Sequence, residues 1–201
     1  MARYNATASA GRGCTMALPL PRHRFTVEDY YRMAESGILR EDDRVELIDG
    51  EIIEMPPIGP GHAGTVEELG DLIRSRLPTT ARVRTQNPVR LGLRSEPEPD
   101  LAVVTRREGY YRQEHPTPAD VLLLIEVADS SLEYDRQTKA PMYAHAGIPE
   151  LWIINLMDRV IEVYREPSAA GYQQVQISRP GDLLAPLAFP DLRIAVNDVL
   201  I

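Results

Sequence analysis

VLLLIEVADSSLEYDRQTK, residues 121–139, begins as a strand buried on both faces and ends inside a helix. Five apolar residues run without alternation, which marks a central strand of an α/β sheet rather than a half-solvated one. Glu126 then interrupts the run, and Val127 and Ala128 close behind it. Burying a carboxylate costs roughly several kcal/mol unless a partner or a cation compensates it. The next element, SSLEYDRQTKAPMYAHAG, reads as a helix over 130–147 that stops at Gly147 and carries Lys139. Pro141 inside it should kink it or shorten its first turn.

Outward from this unit, the N-terminal side predicts a helix, a hairpin and a second helix. FTVEDYYRMAESG opens with Thr26 as N-cap and Asp29 three positions later, and Gly37 stops it. RVELIDGEIIEM places Asp49-Gly50 between two alternating stretches, a strong hairpin signal. HAGTVEELGDLIRSRL sets Val66, Leu69, Ile73 and Leu77 on one stripe, with Pro78 after it. ARVRTQ, PVRLGL and DLAVVT read as strands, and REGYYRQEHPTPAD as a loop. On the C-terminal side, ELWIINL, RVIEVYR and YQQVQIS form a meander, and FPDLRIAVNDVLI finishes the domain. This order predicts a mixed sheet with helices on its faces, an α/β class without strict βαβ alternation.

The length of 201 residues suits one domain with a full core, placed over 25–201. Residues 1–24 carry arginines and no acids. Organelle transit peptides share that composition, but the plainer reading is a disordered tail, with Met16 an alternative start. The single cysteine, Cys14, lies in that tail, excludes an internal disulfide framework and fits a cytoplasmic address. No run approaches the roughly 18 apolar residues of a membrane span. A net charge of −8 argues against coating nucleic acid by bulk electrostatics, yet allows an acidic cluster that holds a cation.

Several motifs drop out. GPGHAG, 59–64, matches a dinucleotide glycine pattern, but it follows a hairpin arm and the next strand ends in Thr85-Gln86 without an acid. The histidines at 23, 62, 115 and 145 lack zinc-site spacing, and His62 reads as a capping or surface residue. Ser130-Ser131 suit a helix N-cap, and no nucleophile elbow is present.

The acids are more informative. Asp100 opens DLAVVT directly after EPEP, where Pro99 forces an extended entry. Neighbouring strands lie about 4.8 Å apart, so Asp100 and Glu126 at matching heights can share one cation, and Mg²⁺ suits such oxygen donors. The bland alternative for Glu126 is a strand-end carboxylate that meets water or caps Ser130-Ser131. For Lys139 it is an exposed pair with Asp135 at i, i+4. A helix packed beside the Glu126 strand could instead bring its ammonium to a phosphate oxygen.

ELIDGEIIEM, PEPDLAVV, LLIEVADSS and then D-R-x-x-K-x-x-x-Y-x-x-x-G-I-P-E-L-W-I-I resemble the Uma-two family of restriction endonucleases, within the PD-(D/E)XK nuclease superfamily. The resemblance spans about residues 25 to 200 and implies a restriction-endonuclease-like fold, with the N-terminal helix and hairpin as an addition. It implies Asp100 and Glu126 as metal ligands, with the carbonyl of Val127 as a further one and Mg²⁺ or Mn²⁺ as the cofactor. The lysine expected two residues after the second acid is absent, because position 128 is alanine, and Lys139 on the following helix takes its place. Glu46 matches a recurrent acid that completes the site from the hairpin; by pattern alone it is equally an outward residue of an alternating strand. Pro141 departs from the pattern beside Lys139.

The resemblance implies metal-dependent phosphodiester hydrolysis, with DNA as partner and a homodimer where both strands are cut. Arg82, Arg84, Arg90 and Arg94 are candidates for phosphate contacts. The alternative is a nuclease-like scaffold that binds nucleic acid or protein without turnover. Carboxylate-pair glycosidase chemistry is disfavoured, because the single tryptophan, Trp152, sits in an apparent core strand.

Overall fold

A computed structural model describes residues 21–40 and 42–200. Most of the expected tail, with Cys14 and Met16, lies outside the described residues. The four tail residues that are described, 21–24, run beside the hairpin, where Arg22 and Arg24 pair with Glu51.

Helix α1, Val27–Glu35, starts at a reciprocal capping box between Thr26 and Asp29. Strands β1, Val45–Ile48, and β2, Glu51–Glu54, form the hairpin. Its turn needs left-handed backbone at both central residues, Asp49 (φ 47°) and Gly50 (φ 74°). A Cβ on Gly50 would lie 2.8 Å from both the Arg24 Cβ and the Phe25 carbonyl. Helix α2, Pro60–Arg76, begins with Pro60 in its first turn and buries Val66, Leu69 and Ile73. GPGHAG is thus mostly helix, not a phosphate-cradling loop.

The main sheet has six strands in the order β3-β4-β5-β6-β7-β8. They are β3 Ala81–Thr85, β4 Leu101–Thr105, β5 Val121–Ala128, β6 Glu150–Asn155, β7 Val160–Ser168 and β8 Gly171–Ser178. Only the β5–β6 pair is parallel among them. A parallel neighbour demands a crossover, and the 130–147 segment provides it. Odd-numbered β5 residues, Leu123, Ile125 and Val127, pack with Trp152 against α2. The even-numbered Leu124 and Ala128 pack with Leu151 and Ile153 against Ala140 and Tyr143. Two short strands, β9 Leu183–Leu184 and β10 Ile194–Ala195, pair with each other.

Two local expectations need correction. PVRLGL forms no strand. Its amides instead bond to Pro97, Ser95 and Pro116 carbonyls, and Leu93 is 70% exposed. Pro88 and Gly92 favour this turn-rich path over a ladder. The crossover is also not one helix. It comprises α3, Leu132–Tyr134, a π turn over Asp135–Lys139, and α4, Ala140–His145. Pro141 has no amide hydrogen for the Gln137 carbonyl, so the helix widens just before it, and Ala140 N–H donates to the Asp135 carbonyl.

Candidate active site

Glu126 projects from the α4 side of β5 and is almost fully buried. Tyr143 of α4 donates to its Oε1 at 2.6 Å, and the Lys139 Nζ lies 3.2 Å from the same oxygen. The Lys139 Nζ also stands 3.4 Å from Oε2 of Glu46 on β1. Glu46 is buried on the inner side of the hairpin, where the Glu98 amide and the Tyr134 hydroxyl donate to it. The hairpin, the central strand and the crossover therefore meet at one ammonium.

Asp100 sits one residue before β4, opposite the end of β5. Its Oδ2 accepts the Val127 amide at 2.8 Å, and its own amide approaches the Glu126 Oε2 at 3.4 Å. Its Oδ1 lies 2.8 Å from His62 Nε2, which must be the donor because an ionised carboxylate only accepts. The Gln86 side-chain amide adds a contact at 3.3 Å. Gln86 holds left-handed backbone (φ 48°), which turns the chain at the end of β3 and aims that amide at Asp100.

These groups floor a cleft of about 400 Å³. One wall is apolar, from Ile53 and Met55 to Ile58. The other carries Ser131, Tyr134 and Asp135. Ser131 does occupy the N-cap position of α3, but its hydroxyl donates to Asp135 Oδ2 at 2.7 Å.

The electrostatics follow from crowding. Burial pushes Glu126 up to about 8; Lys139 opposes this, while Asp135 and Asp100 add to it. Burial works against the Lys139 charge, but Glu126, Glu46, Asp135 and Asp100 outweigh it and hold its pKa above the ordinary lysine value. Asp135 is raised chiefly by burial, as is Glu98, with Glu46 contributing to both. Four carboxyl groups thus face one ammonium. Burial is the largest cause of the rise at Glu126, and Lys139 only partly opposes it.

All four side chains singled out from sequence converge here: Asp100, Glu126, Lys139 and Glu46. Val127 joins through its amide, and in an extended strand its carbonyl projects to the same side. Lys139 is not in an exposed pair with Asp135: both are buried, and its ammonium contacts Glu126 and Glu46. His62 is no surface residue either. It lies at i, i+4, i+7 and i+11 with Val66, Leu69 and Ile73, so the stripe that located the helix's inner face also located His62. Gln86 had no comparable signal, and Tyr143 stood only as the tyrosine of the D-R-x-x-K-x-x-x-Y pattern, with no role attached.

The donor chemistry fits a hard divalent ion, since it is carboxylate and carbonyl oxygen with excess negative charge. Among the described residues, however, no three His, Cys, Asp or Glu side chains already stand as a metal cage. Asp100 is engaged by His62, and Glu126 by Tyr143 and Lys139. No described helix is long and apolar enough to cross a membrane.

The family model described as "Putative restriction endonuclease", Uma2, matches residues 27–197. No curated protein matches the chain. Among solved structures it is similar to the crystal structure of a "putative nuclease belonging to DUF820" from Anabaena variabilis ATCC 29413. The TM-score is 0.69 at 20% identity, over 87% of this chain and 97% of that one. That likeness establishes the fold, a six-stranded mixed sheet flanked by helices. With the family match running across most of its length, the chain belongs to the Uma2 family.

Proposed function

We propose that this chain is a divalent-metal-dependent endonuclease that hydrolyses phosphodiester bonds in DNA. One observation carries the reading: the Lys139 ammonium lies within 3.2 Å of Glu126 and 3.4 Å of Glu46, on the floor of a cleft that also bares Asp100. Asp100 and Glu126, with the Val127 carbonyl, would hold Mg²⁺ or Mn²⁺. Bound there, the ion supplies a Lewis acid for the phosphoryl oxygens and lowers the cost of ionising water.

The chain's own groups prepare that chemistry. The Val127 amide and His62 fix both oxygens of Asp100, so its carboxylate is oriented before substrate arrives. Tyr143 fixes Glu126 in the same way. Because its neighbours hold its pKa above the ordinary value, Lys139 keeps its proton at neutral pH. It therefore serves as a hydrogen-bond donor to the phosphate or to the attacking water, and not as a general base. Glu46 holds the ammonium from the hairpin side, and the ion-pair geometry positions it without consuming all three of its donors.

The test is nicking of supercoiled plasmid with Mg²⁺ or Mn²⁺, comparing wild type with Glu126→Gln and Lys139→Ala. Wild type should nick in a metal-dependent way and both variants should fall to background. Equal activity in all three would end the enzymatic reading. Tight DNA binding without cleavage would instead favour an inactive nuclease-like scaffold.

A further inference from the structure

We propose that the free edge of the sheet, strand β3 with the end of β4 and the following loop, is the surface that grips the phosphodiester backbone of DNA, through Arg82, Arg84 and Arg106. The inference rests on the nucleic-acid reading above, and adds where the polymer lies relative to the cleft.

In a chain with net charge −8, three described arginines near this region are matched by carboxylates. Arg90 pairs with Glu96, Arg107 with Glu114 and Asp120, and Arg74 with Asp71. Among the described residues, Arg82, Arg84 and Arg106 have no carboxylate within 4.0 Å. Arg82 lies over the Tyr110 ring at 4.2 Å and donates to the Tyr110 hydroxyl. Arg84 donates to Asn87 and approaches His115. Arg106 donates to the Thr79 carbonyl. The Nε–H groups of Arg82 and Arg84 are buried and meet no acceptor. Packing on Tyr110 and on Tyr111 thus orders the guanidinium planes of Arg82 and Arg84 without neutralising them, and partial burial lowers the pKa of Arg84. A fixed, uncompensated guanidinium is matched by an oxyanion that approaches its open edge.

Position gives the row its direction. Arg82 is opposite Val104 and Arg84 opposite Ala102, so both project to the sheet face that bears Glu126. They are two residues apart, about 7 Å along the strand. That is close to the separation of successive phosphates in an extended strand. Two residues beyond Arg84, Gln86 contacts Asp100 itself. Arg106 and Arg82 also line a pocket of about 230 Å³ at the far end of β3. The row leads from that pocket to the cleft.

Binding of a fluorescein-labelled DNA duplex, followed by anisotropy in EDTA across a salt series, tests this without catalysis. Replacing Arg82 and Arg84 together by Ala should weaken binding about tenfold at moderate salt and reduce the slope of log K against log[salt] by about 1.8. Arg106→Ala should reduce it by about 0.9. Arg82→Gln with Arg84→Gln, which retains side-chain length, should match the Ala pair. Arg179→Ala, just past β8 at the opposite edge, should leave affinity and slope unchanged. If the double variants bind as tightly as wild type with the same slope, the arginines serve only to keep an exposed edge from pairing, and the inference is overturned. Wild type that binds through these residues yet never nicks plasmid would refute the enzymatic reading alone. Wild type that nicks, with arginine variants of unaltered binding, would refute this inference alone.

Discussion

Replacing Glu126 by Gln should stabilise the metal-free protein, and by an amount that grows with pH. The carboxyl rises from an ordinary 4.5 to about 8 in the folded chain, mainly because no water reaches it. Folding then favours its protonated form. Below about pH 4.5 both folded and unfolded chains hold the proton and the group has no effect. Between the two values the unfolded chain has released the proton and the folded chain has not, so stability falls as pH rises. Above about 8 the penalty is complete. Integrated from pH 5 to 7.5, the loss is about 3 kcal/mol for one group with these two values. Gln occupies nearly the same volume, still accepts the Tyr143 hydroxyl and does not titrate. Urea denaturation in EDTA at both pH values should therefore show the wild type losing about 3 kcal/mol more than the variant over that interval. The shifts of Asp135 and Glu98 act in the same direction and remain in both proteins, so they cancel in the comparison. Parallel losses, equal within about 1 kcal/mol, would show that Glu126 is already ionised at neutral pH and that the ammonium fully compensates it.

Lys139→Met should abolish metal-dependent nicking and destabilise the fold by about 3–5 kcal/mol at pH 8, less at pH 6, where Glu126 already carries a proton; urea titration at the two pH values reads the difference. Glu150 is fully buried and accepts from Trp152 Nε1, two nitrogens of Arg165 and the Leu187 amide. Glu150→Ala would leave the partly exposed Arg165 with the Ala185 carbonyl and strip the buried Trp152 Nε1–H of its acceptor, and should cost about 1–3 kcal/mol by chemical denaturation, with a changed Trp152 fluorescence. Gly50→Ala puts a side chain into left-handed backbone against Arg24 and Phe25, and should lower stability by about 1–3 kcal/mol, seen as a lower thermal midpoint.

What could be read from the chain was whatever local chemistry dictates. Asp49-Gly50 names its own turn, Thr26 and Asp29 cap their own helix, and the unalternated β5 run declares burial on both faces. The acids at Asp100 and Glu126 stood out because each breaks or opens such a run. What stayed hidden depends on contacts distant in sequence. Val89, Leu91 and Leu93 alternate like a strand, yet the first two bond to Pro97 and Ser95 in the loop that follows, and the Leu93 carbonyl accepts from Val27 of α1. Tyr143 looks like any core aromatic until its hydroxyl meets Glu126, 17 residues away. His62 is hidden for another reason: a lone histidine carries no zinc-site spacing, and only its place in line with Val66, Leu69 and Ile73 turns it toward the sheet.

Ala128 explains why the ammonium comes from the crossover and not from β5. Glu126 and Ala128 project to the same face of the strand, and Ala128 is fully buried among Ala140, Tyr143 and Ile153. The start of α4 therefore occupies the space that a long side chain at 128 would need. A crossover packed that closely brings its own residues within reach of Glu126. Asp135, Lys139 and Tyr143 recur every four residues, and on a regular α-helix that period drifts by about 40° at each step. The π turn over Asp135–Lys139 is wider and offsets the drift, so the acid and the ammonium line the cleft while the buried Tyr143 hydroxyl still meets Glu126. Pro141, which looks from sequence like a flaw beside the key lysine, is what forces that widened turn.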